Sequence, residues 1–181
     1  GSGRSSVVVK GLAEKTAKAD MAEWEVTVES FGPTLSETLA QLRRDKIGLD
    51  QFIEKQGFAK ASLFEKTQTV EPRFINKAVN NQVIKVQDGY VGRQSVVISS
   101  KALDKIVAAH KAALDYKAAG HRLIYGDPSY LVSNLEEIKM SLISEATQNA
   151  QKRAREFIKT SDAQLGTIRS ASQGAFYILP N

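Results

Sequence analysis

The chain has 181 residues, with 25 Lys plus Arg against 20 Asp plus Glu, two His, no Cys and a formal net charge of +5. One hydrophobic interior can serve a chain of this length, and the lack of Cys excludes disulfides, zinc–thiolate ribbons, iron–sulfur clusters and thiol nucleophiles. Its 42% hydrophobic and 25% charged residues place it among folded domains and away from disordered chains.

From Ser6 the chain reads Val7-Val8-Val9-Lys10-Gly11-Leu12, then a polar stretch, then a strict alternation in which Trp24, Val26 and Val28 point one way and Glu23, Glu25, Thr27 and Glu29 the other. A period of two belongs to a strand with one buried face. The reading is two strands joined by a polar turn near Thr16–Asp20, the second stopped by Gly32-Pro33. Thr34 with Glu37 three residues on is a capping-box signature, and Leu35, Leu39, Leu42, Leu49 and Ile53 mark an amphipathic helix running to Gly57.

Leu63–Val70 reads as strand, broken by Pro72. Asn80-Asn81 offers a turn because Asn tolerates positive φ, and Val83–Ser99 returns as a long strand with Asp88-Gly89 as a bulge or second turn. Ser99-Ser100 opens a second helix with Leu103, Ile106, Val107, His110, Ala113 and Leu114 on one stripe, closed by Gly120. Arg122–Tyr125 is a short strand, and Gly126–Ser129 a loop. Asn134 with Glu137 caps the longest helix, which carries Leu135, Ile138, Leu142, Ala146, Ala150, Ala154, Phe157 and Ile158. Leu165, Ile168 and Ala175–Leu179 close the chain as strand material. The order ββαββαβαβ predicts an α+β fold, a largely antiparallel sheet with helices on one face.

No apolar run is long enough to span a membrane. Gly1-Ser2-Gly3 reads as an expression remnant, so residues 1–5 are expected to be a disordered start and residues 6–181 a single domain. The positive excess lies in the second half, where residues 91–181 carry 12 basic and 8 acidic residues. It is densest at Lys152, Arg153, Arg155 and Lys159 on the third helix. This is a candidate anion-contacting face for nucleic acid or anionic lipid. Against it, Glu156 stands four residues from Lys152 and can pair with it, and no interleaved aromatics supply base stacking. A nucleic-acid partner is therefore not expected.

Other candidate chemistry yields to simpler readings. His110 on the apolar stripe is expected to pack. His121, Asp127 and Ser129 superficially form a nucleophile set, but Pro128-Ser129-Tyr130 lacks the glycine elbow that exposes a catalytic serine. Glu23, Glu25 and Glu29 are expected to meet solvent or cations on a neighbouring strand. Gly89-Tyr90-Val91-Gly92 lacks the spacing and Lys-Ser/Thr of a phosphate loop. Ala146, Ala150 and Ala154 are expected to pack within the protein. No enzyme activity, cofactor or metal is expected; exposed sheet edges are either shielded or recruit another copy, so the expected mode of action is self-assembly or the binding of other macromolecules.

Taken in order, several segments resemble the SIMPL-domain family of bacterial periplasmic and outer-membrane-associated proteins. Val7–Gly11 followed by Ala17–Ala22 is similar to its first hairpin. Gly89-Tyr90, Gln94–Ser99 and Leu103–Ile106 resemble its most recognisable stretch, and Ala146–Ala154 with Leu165-Gly166-Thr167-Ile168 its alanine-rich helix and exit. Two departures stand out: the family commonly continues into a further C-terminal strand, and it commonly has shorter material around Asn76–Gln87. The resemblance implies an exported envelope protein, α+β, often assembling into homo-oligomeric rings, with an envelope protein or lipid as further partner. It also implies a loose link to stress tolerance and no catalytic residues.

Overall fold

The alternating segment from Met21 becomes the strand around which the larger sheet is built. The computed structural model describes residues 6–11, 14–161 and 177–180, the last four through their backbone alone. Its elements are β1 (Ser6–Lys10), β2 (Glu14–Lys18), β3 (Met21–Gly32), α1 (Leu35–Lys55), β4 (Leu63–Glu65), β5 (Thr69–Val79), β6 (Gln82–Ser100), α2 (Leu103–Ala118), β7 (Leu123–Tyr125), β8 (Ser129–Leu131), α3 (Leu135–Ser161) and β9 (Tyr177–Pro180). The class is α+β with antiparallel sheets, as the order of elements predicts, and β2, β4 and β8 are short strands added to that order. The chain divides into two compact units, Met21–Ser129 and the segments on either side of it.

In the flanking unit the sheet order is β2-β1-β9. Here the structure corrects the expected turn at Thr16–Asp20: Thr16 lies inside β2, opposite Val8, and β1 pairs with β2 and β9. Polarity misled because β2 is an exposed edge strand, held by its backbone rather than by a buried face. Val9 from β1 packs with Ile138 and Leu142 of α3. The Asp20 carboxylate accepts from the Ser133 amide at 2.8 Å and from its hydroxyl. The Asn134 carbonyl then takes the Ile138 amide at 3.2 Å, opening α3 where the sequence placed its cap. Leu165 and Ile168 lie outside the described residues.

In the Met21–Ser129 unit the main path is β4-β6-β3-β7, with β5 also paired to β6. Trp24, Val26 and Val28 are buried on one face, beneath both α1 and α2. The Glu37 amide donates to Thr34 Oγ1 at 3.1 Å, so the predicted cap forms. Leu42, Leu49 and Ile53 are buried as expected, but Leu35 is exposed and Thr38 takes the inward position in the first turn. Thr38 fits there because its hydroxyl donates to the Thr34 carbonyl at 2.7 Å. Ser99 and Ser100 remain in β6 rather than opening α2, which buries Ile106, Ala109 and Ala113 while Leu114 faces solvent. Leu103, Val107 and His110 of the predicted stripe are half-buried beside these three.

The predicted hairpin forms with a different outline. Asn80 and Asn81 have φ of 50° and 62°, the pair of left-handed residues that a two-residue type I′ turn requires. Pro72 does not end the strand: it sits within β5 opposite Tyr90, where an edge strand can spare one amide. The register shifts between Pro72 and Phe74, absorbing Asp88-Gly89 as a bulge. Beyond it β6 leaves β3, whose pairing stops at Gly32–Tyr90, and residues 74–87 continue as a two-stranded arm.

Candidate functional site

The arm, residues 74–87, carries apolar side chains on both of its faces. Cross-strand pairs share a face, so Ile75–Val86, Lys77–Ile84 and Val79–Gln82 form one face, while Phe74–Gln87, Asn76–Lys85 and Ala78–Val83 form the other. A two-stranded ribbon alone has no second layer in which to bury such residues. Accordingly Phe74, Ile75, Val79, Val83 and Ile84 are all exposed, Val83 by 72%. Arg73 donates to Asp88 at 3.0 Å at the base, and Lys77 and Lys85, one per face, have no ion-pair partner among the described residues.

At the other end of β3 lies a shallow trough of about 550 Å³ on the outer sheet face, lined by Glu23, Glu25, Lys66, Val97, Ile124 and Asp127 among others. Glu25 pairs with Lys66, and Glu29, further along β3, accepts from Arg93 Nε at 2.8 Å. These two carboxylates have the cation partners that their alternation predicted, whereas Glu23 has no ion-pair partner among the described residues. Exposed Ile124, beside Thr27, and Phe64, opposite Val97, give this acidic face apolar ground.

A smaller cleft of about 280 Å³ opens between β3, α1 and the segment after α2. Buried Ser30 donates to Asp45 Oδ2 at 2.5 Å, Gln41 Nε2 donates to Asp45 Oδ1 at 2.9 Å, and Arg44 steadies Gln41 at 2.7 Å. Tyr116 stacks on His121 with centroids 4.1 Å apart, and its phenol is pushed above 10.0 by burial and by the charge of Asp45. Both Asp45 oxygens are engaged by neighbours, so this network holds α1 to β3.

The suspected nucleophile set is not assembled. His121 stacks in the cleft, while Asp127 meets His110, with Nε2 3.4 Å from Oδ1. His110 packs edge-on against Trp24 and Tyr125, as a packing residue should, and Trp24 Nε1 donates to the Gly126 carbonyl at 2.9 Å. Lys152, Arg153, Arg155 and Lys159 are all exposed near the end of α3, and Lys152 forms no ion pair with Glu156. Among the described residues no group of three His, Asp or Glu is placed to hold a metal ion, and no helix is long and apolar enough to cross a membrane.

Sequence reasoning missed Lys46. It sits on the buried stripe of α1 between Leu42 and Leu49, donating to Asp50 at 2.5 Å and Glu65 at 2.7 Å. Burial is the largest single influence and opposes its charge, but the two carboxylates outweigh it and hold the pKa above 10.5. A cation on an apolar stripe with an acid four residues on was the available signal.

An α+β unit with two helices on one face of an antiparallel sheet, an acidic outer face and a projecting arm defines the class structurally. The chain belongs to the SIMPL family, described as a protein of unknown function (DUF541), whose model matches residues 7–178. No curated protein matches the chain at a significant level.

Proposed function

We propose that this chain is a non-enzymatic protein of the bacterial cell envelope that acts by associating with macromolecules, through the β5–β6 arm. The observation that carries the reading is the arm's composition. Evolution usually guards a free hairpin with polar residues on both faces, whereas five large apolar side chains of this arm are exposed on a ribbon too narrow to bury them. Exposed apolar patches of this kind mark interaction surfaces. Family membership and the resemblance to exported proteins support the envelope assignment.

The test replaces residues 74–87 with a two-residue turn and compares this variant with the whole chain by light scattering and by cross-linking in cell-envelope extracts. Complexes present with the arm and absent without it are expected. Identical complex profiles for two equally folded proteins would overturn the reading.

A further inference from the structure

We infer that the small cleft beside α1 binds a zwitterion the size of an amino acid or short peptide, whose carboxylate meets the guanidinium of Arg122 and whose ammonium meets the carboxylate of Asp45. This site lies apart from the arm and goes beyond the association proposed for it.

The observation that carries the inference is a pair of opposite charges that share one cleft without meeting. Arg122 and Asp45 both line the space of about 280 Å³, and neither forms an ion pair, with the other or with any further group among the described residues. A simple anion entering here faces the charge of Asp45, and a simple cation faces that of Arg122. A ligand carrying both signs answers both at once.

Each charge is held in place by contacts that leave it able to bind. The Arg122 guanidinium lies over the Phe31 ring, 4.4 Å from its centroid, a cation–π contact that steadies the group without giving its N–H donors an oxygen acceptor. Arg73 lies over the same ring at 4.2 Å, but its charge is answered by Asp88. Arg122 is therefore the guanidinium of the two that still lacks a carboxylate, the group an arginine fork grips best. Asp45 accepts from the Ser30 hydroxyl at 2.5 Å and the Gln41 amide at 2.9 Å, one on each oxygen. Both donors are neutral, and a carboxylate offers about four lone-pair positions, so each oxygen has room for a second donor.

The rest of the cleft suits the same occupant. Its volume falls just below the range of about 300–1,000 Å³ that takes drug-sized ligands, which fits about one or two residues. Phe31 and Val28 supply apolar ground for a small side chain. Tyr116 is fixed between Phe52 and His121, with ring centroids 4.8 Å and 4.1 Å away, and its phenol, held above 10.0, adds no negative charge at neutral pH.

The experiment titrates the isotope-labelled whole chain with alanine, alanyl-alanine, N-acetylalanine and alaninamide, and follows the amide chemical shifts of the cleft residues. The third probe lacks the ammonium and the fourth the carboxylate. Arg122→Gln, Asp45→Asn and Arg73→Gln are titrated alongside, the last as a control on the same ring outside the cleft. Alanine or alanyl-alanine should give saturable shifts at the cleft, and the tighter of the two identifies the occupant as a free amino acid or a peptide. N-Acetylalanine and alaninamide should bind at least about tenfold more weakly, the size of one lost charge-assisted contact. Arg122→Gln should erase the advantage over alaninamide and Asp45→Asn the advantage over N-acetylalanine, while Arg73→Gln should leave binding unchanged. Arg122 is exposed, so its variant keeps the test decisive if Asp45→Asn, which disturbs the Ser30 and Gln41 bonds, fails to fold. The absence of saturable cleft shifts at millimolar zwitterion overturns the inference. So does a singly charged probe that binds as tightly as the zwitterions, or zwitterion binding undiminished in Arg122→Gln.

Discussion

Gly89 lies so close to Gly32 that a Cβ on it would come within 2.2 Å of the Gly32 carbonyl oxygen. Its φ of +63° independently favours glycine. The two strands of the sheet part at this point: β3 turns into α1, and β6 carries on into the arm. Gly89→Ala must therefore both strain the backbone and push β3 away. The expected cost is at least about 2 kcal/mol, read as a lowered midpoint in urea unfolding; a variant as stable as the parent would mean that the two strands are not held together here.

Lys46 supplies a second prediction, because a buried ammonium is more costly to orphan than to replace. Glu65→Gln removes one of its two partners and should cost about 1 kcal/mol, the modest size reflecting a carboxylate that is half-exposed. Lys46→Met fills the same space between Leu42 and Leu49 without a charge and should fall within about 1 kcal/mol of the parent. The raised pKa fixes the sign of the pH effect. Its stabilisation is complete below 10.5 and is lost as pH rises through the higher folded-state value. Alkaline denaturation of Lys46→Met should thus start later than that of the parent, which unfolding titrations above pH 10.5 would show.

The parts of the fold that were legible in the sequence are those where one physical cause dominated. The alternation around Trp24, the Thr34 cap and the Asn80-Asn81 turn each rest on local geometry, and each formed where expected. Thr16 and Pro72 were misread because edge strands obey weaker rules: β2 needs no buried face, and β5 can lose an amide on its outer side. The arm was visible as a hairpin but not as a projecting one. Its exposure depends on β3 ending at Gly32 while β6 continues, which is a relation between strands distant in sequence. The separation of His121 from Asp127 follows from β7, which runs between them, with His121 before its start beside Tyr116 and Asp127 past its end beside His110.

Tyr116 reports on the small cleft. Burial is the main reason its phenol titrates above 10.0, with the Asp45 charge adding to it. Asp45→Asn should lower that pKa part of the way back, because burial remains. Phenolate absorbance in a pH titration, taken as the difference between each protein and its Tyr116→Phe counterpart, isolates Tyr116. The folded state holds this proton more tightly than the unfolded one, so the associated stability is present below pH 10.0 and declines above it. A Tyr116 titration unchanged by Asp45→Asn would show that the charge is not felt across the cleft.

The cations at the end of α3 carry the last prediction. At 100° per residue, Lys152, Arg155 and Lys159 share one side of the helix together with Glu156, while Arg153 is turned about a quarter of the circumference away. At most three cations can therefore face one polyanion, and Glu156 stands among them. Releasing counterions from about three phosphates gives a salt slope of about −2 to −3. Such binding is detectable on single-stranded DNA or anionic vesicles at low ionic strength and largely gone at physiological salt. Replacing all three with Gln should abolish this retention and leave the arm-dependent complexes unchanged. Tight binding at physiological salt with a steeper slope would instead show a larger basic surface, and would make a polyanion a partner in its own right.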